Sequence, residues 1–228
     1  MREPVVDYKK LNLHNITSPE YRHVLLLLGW VVYFLLYFVT ENFIPDSACH
    51  LMHSKVDDLI PFCEYFVIFY CFWYILCAGS LLNYLLYDVD RFKKLQIFIM
   101  ITQGVAMLVY IVYPSIQDLR PATFERQNFC TWVMGIIYDF DTPTGVCPSL
   151  HVAYTFGIVS TLLKDPRLAT WKKILFFVLG ILICLATMFC KQHSFIDVCW
   201  GFVLGAFTEA IVYGRWWVEK LRPARQKA

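Results

Sequence analysis

Charge is what this sequence has least of: 17% of its 228 residues are Asp, Glu, Lys or Arg, against about 25% in an ordinary soluble domain. With 58% hydrophobic residues and a mean hydropathy of +0.52, that shortfall excludes disordered, coiled-coil and secreted disulfide-scaffold chains. One integral membrane domain remains. A single basic stripe is lacking too: the formal charge is +2 and the cations fall in clusters between apolar runs, so no nucleic-acid partner is expected. The nine cysteines include no Cys-x-x-Cys pair and no zinc-type Cys/His spacing. Cys71, Cys77 and Cys184 are expected inside helices as small hydrophobes. Cys49, Cys63, Cys130 and Cys147 are expected on or near the outer side, where a disulfide is open but not derivable. His50 and His53 beside Asp57 and Asp58 fit a solvated loop better than a metal site. No repeat is visible. No apolar core lies near the start in the manner of a signal peptide, so the first helix is expected to be retained.

Runs of roughly 17–25 apolar residues, long enough for about 30 Å of hydrocarbon, occur six times. They are Val24 to Thr40, Phe62 to Tyr87, Leu95 to Tyr113, Cys147 to Leu163, Trp171 to Cys190 and Phe195 to Gly214. The fourth is the least apolar. Phe129 to Phe140 reaches only about 18 Å as a helix and reads as an interfacial or re-entrant piece. The predicted fold is all-α: a six-helix membrane bundle over 24–214, with a cytoplasmic segment 1–23 and a basic cytoplasmic tail 215–228. Of the 20 Lys and Arg, 16 fall on one side of that arrangement: Arg2, Lys9, Lys10, Arg22, Arg91, Lys93, Lys94, Lys164, Arg167, Lys172, Lys173, Arg215, Lys220, Arg222, Arg225 and Lys227. Cytoplasmic loops carry such an excess, so both termini are expected there, with the loops after helices one, three and five facing outward. Deleting the fourth helix would move the Lys164 to Lys173 cluster to the wrong side.

Ionisable residues near membrane helices are costly and commonly functional or paired. Three outward segments carry them: Tyr113 to Pro121, Gly145 to His151 and Lys191 to Asp197. Pro148 suits a first helical turn, whose free amides and positive helix end favour an anion, and Ser149 adds a hydroxyl. His151 is close enough for acid/base work on a group held there. If the last helix reaches back to His193, Asp197 lies four residues on and on the same face, where a carboxylate holds an imidazole in one tautomer. Arg120 offers a fork of donors for phosphate oxygens and Lys191 a second charge. Each of these residues alone has a bland reading: an interface histidine, a snorkelling cation, a structural pair. Two His, an Asp, two cations and a helix-start Ser on one predicted face favour a site.

Pro148-Ser149-Leu150-His151 and His193-x-x-x-Asp197, with Lys191-Gln192 before the second and Arg120-Pro121 upstream, resemble the three-part signature of the type-2 phosphatidic acid phosphatase superfamily. The resemblance spans about Leu95 to Gly214. It implies a six-helix membrane fold, His193 as nucleophile on phosphorus, Asp197 orienting it, and His151 as general acid and base. It further implies that Arg120, Ser149 and Lys191 bind the phosphate, with no metal and no cofactor. Three positions depart from the family's pattern. Tyr113 stands where a Lys is common, Ala186-Thr187 where Ser-Arg is common, and Leu150 where simple phosphatases have Gly, which resembles the inositol-phosphotransferase branch.

The expected function is metal-independent phosphatase or phosphotransferase chemistry on a lipid phosphate through a phosphohistidine, with membrane lipids as surroundings. Water or an alcohol such as inositol is the acceptor, and oligomeric state is left open. The expected location is a bacterial plasma membrane with the site facing outward. A transporter, or a non-catalytic membrane protein, is the alternative of another class. A proton path predicts ionisable residues through helix centres, whereas Leu175 to Leu185 and Phe202 to Phe207 have none.

Overall fold

A computed structural model describes residues 3–221. Arg2 and the tail from Arg222 onward, including Arg225 and Lys227, lie outside the described residues, as do the side chains of Lys220 and Leu221. The fold is all-α, with seven helices among the described residues: α1 Leu28–Phe43, α2 Val67–Tyr87, α3 Val89–Val112, α4 Phe129–Phe140, α5 Leu150–Leu163, α6 Thr170–Phe189 and α7 Phe195–Leu221. Among the described residues, five spans are long and apolar enough to cross a membrane: Arg22–Phe43, Glu64–Tyr87, Val89–Val112, Thr170–Phe189 and Phe195–Glu219. Such helices support an integral-membrane location.

The fourth expected span is α5, and it is shorter than expected. Its 14 residues cover about 21 Å, because the chain from Cys147 to Ser149 is not helical and Ser149 is the N-cap. Pro148 therefore precedes the cap and does not occupy the first turn. A short helix with an irregular approach is tolerated at membrane depth only when protein surrounds it. That is the case here: α5 packs on α2, α3, α6 and α7, and buries ten of its residues, among them Tyr154, Ile158 and Leu162. By contrast α1 buries only Thr40.

Hydropathy and hydrogen bonding mark different limits. The expected third run starts at Leu95, whereas α3 starts at Val89, because the Asp88 side chain accepts the Arg91 amide at 3.1 Å and caps the helix six residues earlier. Similarly α7 continues past Gly214 through Arg215 and Trp217 to Leu221. The α4 helix has the expected limits and begins at a reciprocal cap between Asn128 and Thr131.

Both ends of the bundle are laced together. At one end the N-terminal segment docks on the end of α2, with Val5 N donating to Leu86 O and Tyr8 Oη to Leu85 O, both at 2.8 Å. Arg167 reaches Asp88 at 3.1 Å there. At the other end two-residue strands β1, His50–Leu51, and β2, Ser115–Ile116, pair in parallel. That pairing joins the loop after α1 to the loop after α3, and the three polar segments are tied to one another by Gly145 N to Ser115 O at 2.8 Å, Gln117 Nε2 to Lys191 O at 3.1 Å and Ser149 N to Asp197 O at 3.0 Å.

Candidate active site

His193 lies between two helix caps. The α6 helix ends in a Schellman arrangement: Gln192 N donates to Thr187 O at 2.9 Å and Lys191 N to Met188 O at 3.0 Å. His193 N also donates to Thr187 O, at 3.1 Å. The left-handed position of this motif usually carries Gly, yet here it is Lys191, with φ 52°, at a backbone cost of about 1–2 kcal/mol. Its side chain accounts for the choice: the ammonium donates to Asp57 O at 3.0 Å and to Ile60 O, and Lys191 O accepts from Gln117 Nε2 at 3.1 Å. Burial lowers the Lys191 pKa, against the opposing pull of Asp57 and Asp58.

The next helix starts at once. Ser194 Oγ accepts from Asp197 N at 3.2 Å, while Asp197 Oδ2 accepts from Ser194 N at 2.8 Å, a capping box. His193 is therefore just outside α7 rather than within its first turn. It still reaches the carboxylate, with Nδ1 3.6 Å from Asp197 Oδ2, beyond hydrogen-bond length but within ion-pair reach. Asp197 is fully buried and its Oδ1 has no hydrogen-bond partner.

The second histidine faces the other edge of this ring: His151 Nδ1 is 3.3 Å from His193 Nε2. The first turn of α5 holds His151 against α2, where its ring centre is 4.2 Å from Trp73 and 4.7 Å from Tyr70. Neighbouring motifs satisfy the irregular backbone before α5. Val146 N and Cys147 N donate to Ser115 Oγ at 3.1 and 3.0 Å, Tyr110 Oη donates to Pro148 O at 2.7 Å, and Ser149 N donates to Asp197 O at 3.0 Å. The helices touch here because residue 201 is glycine. A Cβ on Gly201 would stand 2.7 Å from Ser149 O and 2.8 Å from Val152 Cβ.

Among the site residues read from the sequence, His151, His193, Asp197 and Ser149 come together. The two cations each have partners within the protein. Arg120 lies over the Tyr138 ring and closes the end of α4, donating to Tyr138 O, Asp141 O and Thr142 O at 3.2, 2.7 and 3.2 Å. It also reaches the motif, with Nη2 2.8 Å from Gln192 Oε1, and its buried Nε has no partner. Lys191 is spent on the 57–60 loop, as described. Ser149 Oγ accepts the Val152 amide at 3.5 Å, as an N-cap does.

The residue that sequence reasoning missed is Asp57. Assigned above to a solvated loop, it is 2% exposed. Its Oδ1 accepts from Phe195 N at 2.7 Å, at the start of α7, and its Oδ2 from Ser54 N and Oγ, both at 2.8 Å. The remainder of that loop is tied down as well. His53 bridges Asp118 and Asp58 at 2.9 Å each, and His50 stacks on Tyr113 at 3.9 Å. All nine cysteines are free. Among the described residues, no group of three or more His, Cys, Asp or Glu is placed to hold a metal ion.

No curated protein and no solved structure matches the chain. The sequence profile of the PAP2 superfamily matches residues 93–221. The matched stretch takes in Arg120, His151, His193 and Asp197, and supports a phosphatase- or phosphotransferase-like role in general. With more than half of its length matched, the chain belongs to the PAP2 superfamily.

Proposed function

We propose that the protein is a membrane-embedded phosphatase or phosphotransferase acting on a lipid phosphate, with a phosphohistidine intermediate on His193. The observation that carries this is the line Asp197, His193, His151, with contacts of 3.6 and 3.3 Å. Asp197 faces Nδ1 of His193 and favours the tautomer with a proton there, leaving Nε2 with a lone pair. His151 Nδ1, as N–H, then points at that lone pair.

A phosphoryl group entering between the rings displaces this contact. Nε2 of His193 attacks phosphorus, the N–P bond forms as the P–O bond to the lipid breaks, and His151, entering the step as the imidazolium, gives one proton to the leaving oxygen and is left as the neutral ring. Asp197 stabilises the positive charge on the His193 ring. Water or an alcohol next attacks phosphorus, His151 takes the proton of that nucleophile, and the N–P bond breaks. The first-turn amides of α5, at the positive end of the helix, suit the charged phosphoryl oxygens. Arg120 and Lys191 act on the site by setting the 190–194 turn, and Arg120 Nε and Gln192 Nε2 are buried donors left to face a ligand. Acyl chains are held by burial, at about 0.8 kcal/mol per CH₂. We place this site on the non-cytoplasmic face, which the clustering of Lys and Arg at the opposite end supports.

Product analysis on purified protein, offered a panel of lipid phosphates with and without alcohols and with excess chelator, tests the proposal. Release of phosphate, or its transfer to the alcohol, undiminished by chelator, is the expected result. Turnover that stops on chelation and returns with a divalent ion contradicts it.

A further inference from the structure

Two cavities meet at Lys164 and Trp216, at the end of α5 away from His151. One, of about 340 Å³, is an apolar groove among α5, α6 and α7. It runs from Thr155 to Lys164 along α5 and is walled by Phe177, Ile181, Phe202 and Trp217. The other, of about 310 Å³, is polar and is framed by Asp88, Asp90, Arg91 and Lys94 with Tyr213. Lys164 and Trp216 line both. An apolar slot continuous with a charged one has the shape and polarity of an amphiphile.

Charge decides the headgroup. The Lys164 ammonium is fixed by Glu209 and lies 4.6 Å over Tyr213, 5.0 Å over Trp216 and 4.9 Å over Trp217, so it forms a neutral partition with its carboxylate. The acids of the polar cavity are neutralised too: Asp88 by Arg91 and Arg167, Asp90 by Lys93. Lys94 is the surplus cation. Its ammonium is 5.8 Å over the Tyr213 ring, and among the described residues no carboxylate pairs with it. Basic pockets between membrane helices suit anionic headgroups.

The walls of the groove locate the chain. Phe177, Ile181 and Phe202 are 50%, 47% and 44% exposed on helices that span the membrane, so the groove is open to a hydrocarbon chain from the side. Trp171, Trp216 and Trp217 lie at this end, the placement of an interfacial aromatic belt, which sets a headgroup at the level of Lys94.

We propose that this composite cavity is a second lipid site, which takes an anionic glycerophospholipid with its phosphate at Lys94 and one acyl chain in the α5–α6–α7 groove. Its headgroup end, at Lys94, lies at the far end of α5 from His151, and the proposal does not depend on the chemistry of His151 and His193.

The test uses full-length protein stripped of lipid in detergent. Thermal unfolding is followed with phosphatidylglycerol, phosphatidylcholine or inorganic phosphate, in the wild type, in Lys94→Gln and in Ile181→Trp, which fills the groove. At a hundredfold excess over Kd, phosphatidylglycerol is expected to raise Tm by about 5–10 °C, with phosphatidylcholine giving a smaller rise and phosphate none. Lys94→Gln should bring the phosphatidylglycerol shift down to that of phosphatidylcholine, and Ile181→Trp should reduce both. Native mass spectrometry of the wild type supplies a reading that needs no variant: phosphatidylglycerol should be retained about tenfold over phosphatidylcholine. Equal retention of the two lipids, an undiminished shift in Lys94→Gln, or an equal shift with phosphate alone would overturn the proposal.

Discussion

Asp197 Oδ2 lies 3.6 Å from His193 Nδ1 and accepts the Ser194 amide at 2.8 Å. One carboxylate oxygen thus faces the imidazole and closes the first turn of α7. The two roles separate on substitution. Asp197→Asn retains an oxygen for the Ser194 amide but loses the charge that stabilises a cationic ring. It should leave the melting temperature nearly unchanged and lower kcat by about 10²–10⁴-fold. Asp197→Ala removes the cap as well, at about 0.5–2 kcal/mol. Thermal melts read beside turnover separate the two effects.

Asp57 and Lys191 connect the loop after α1 to the histidine turn, and the two residues report different things. Asp57→Ala leaves the part-buried Phe195 amide without its partner, which should cost about 1 kcal/mol and lower kcat. Asp57→Asn, which keeps an acceptor, should recover part of both. At residue 191, Lys191→Ala loses the tether and keeps the left-handed backbone, whereas Lys191→Gly loses the tether and relieves about 1–2 kcal/mol of backbone cost. The glycine variant should therefore be the more stable of the two while being no more active. Chemical denaturation beside turnover checks this ordering.

Much of the architecture was legible in the sequence because apolar runs and caps are local. The end of α2 at Tyr87, both limits of α4, and the His193 to Asp197 spacing all follow from residues within a few positions of each other. The rest depends on distant partners. Asp57 binds an amide 138 positions away, and nothing around it in the sequence marks it as buried. The partners of Arg120 and Lys191 are mostly backbone carbonyls, which no residue type announces. Pro148 is equally at home inside a first turn or just before a cap. The hydrogen bonds from Ser115 Oγ and Tyr110 Oη to the 146–148 backbone decide between the two. The Lys164–Glu209 pair was missed because the two residues are 45 positions apart and each looks like a flank charge.

His53 makes the site's outer rim sensitive to pH. Hydrogen bonds to Asp118 and Asp58 raise its pKa above the ordinary histidine value, so the folded protein holds the proton to higher pH than the unfolded chain. The resulting stabilisation is complete below about pH 6.5 and is lost as pH rises through the raised folded value. His53→Gln should be less stable than the wild type at about pH 5.5 and equal to it at about pH 9. Unfolding measured across that range gives the difference curve; a gap that widens with pH would reverse the assignment.

Sidedness is open to direct labelling. In a background lacking the native cysteines, a single cysteine placed in the 114–128 loop should react with an impermeant thiol reagent in intact cells. Cysteines near Lys93 or Lys172 should react only after permeabilisation. The reverse pattern would put the histidine pair on the cytoplasmic face.

The central claim is that His193 carries the phosphoryl group. Acid–base help is worth about 10²–10⁴-fold, so His151→Ala should slow departure of a poor leaving group by that amount. It should still allow phosphorylation from a substrate whose leaving group needs no proton. The decisive measurement is rapid quench of the enzyme with ³²P-labelled lipid phosphate, scoring protein-bound label for stability in base and lability in acid. The wild type should show base-stable, acid-labile label that maps to His193, and His193→Ala should show none. Label at the wild-type level in His193→Ala, or wild-type turnover in that variant, would contradict the phosphohistidine route.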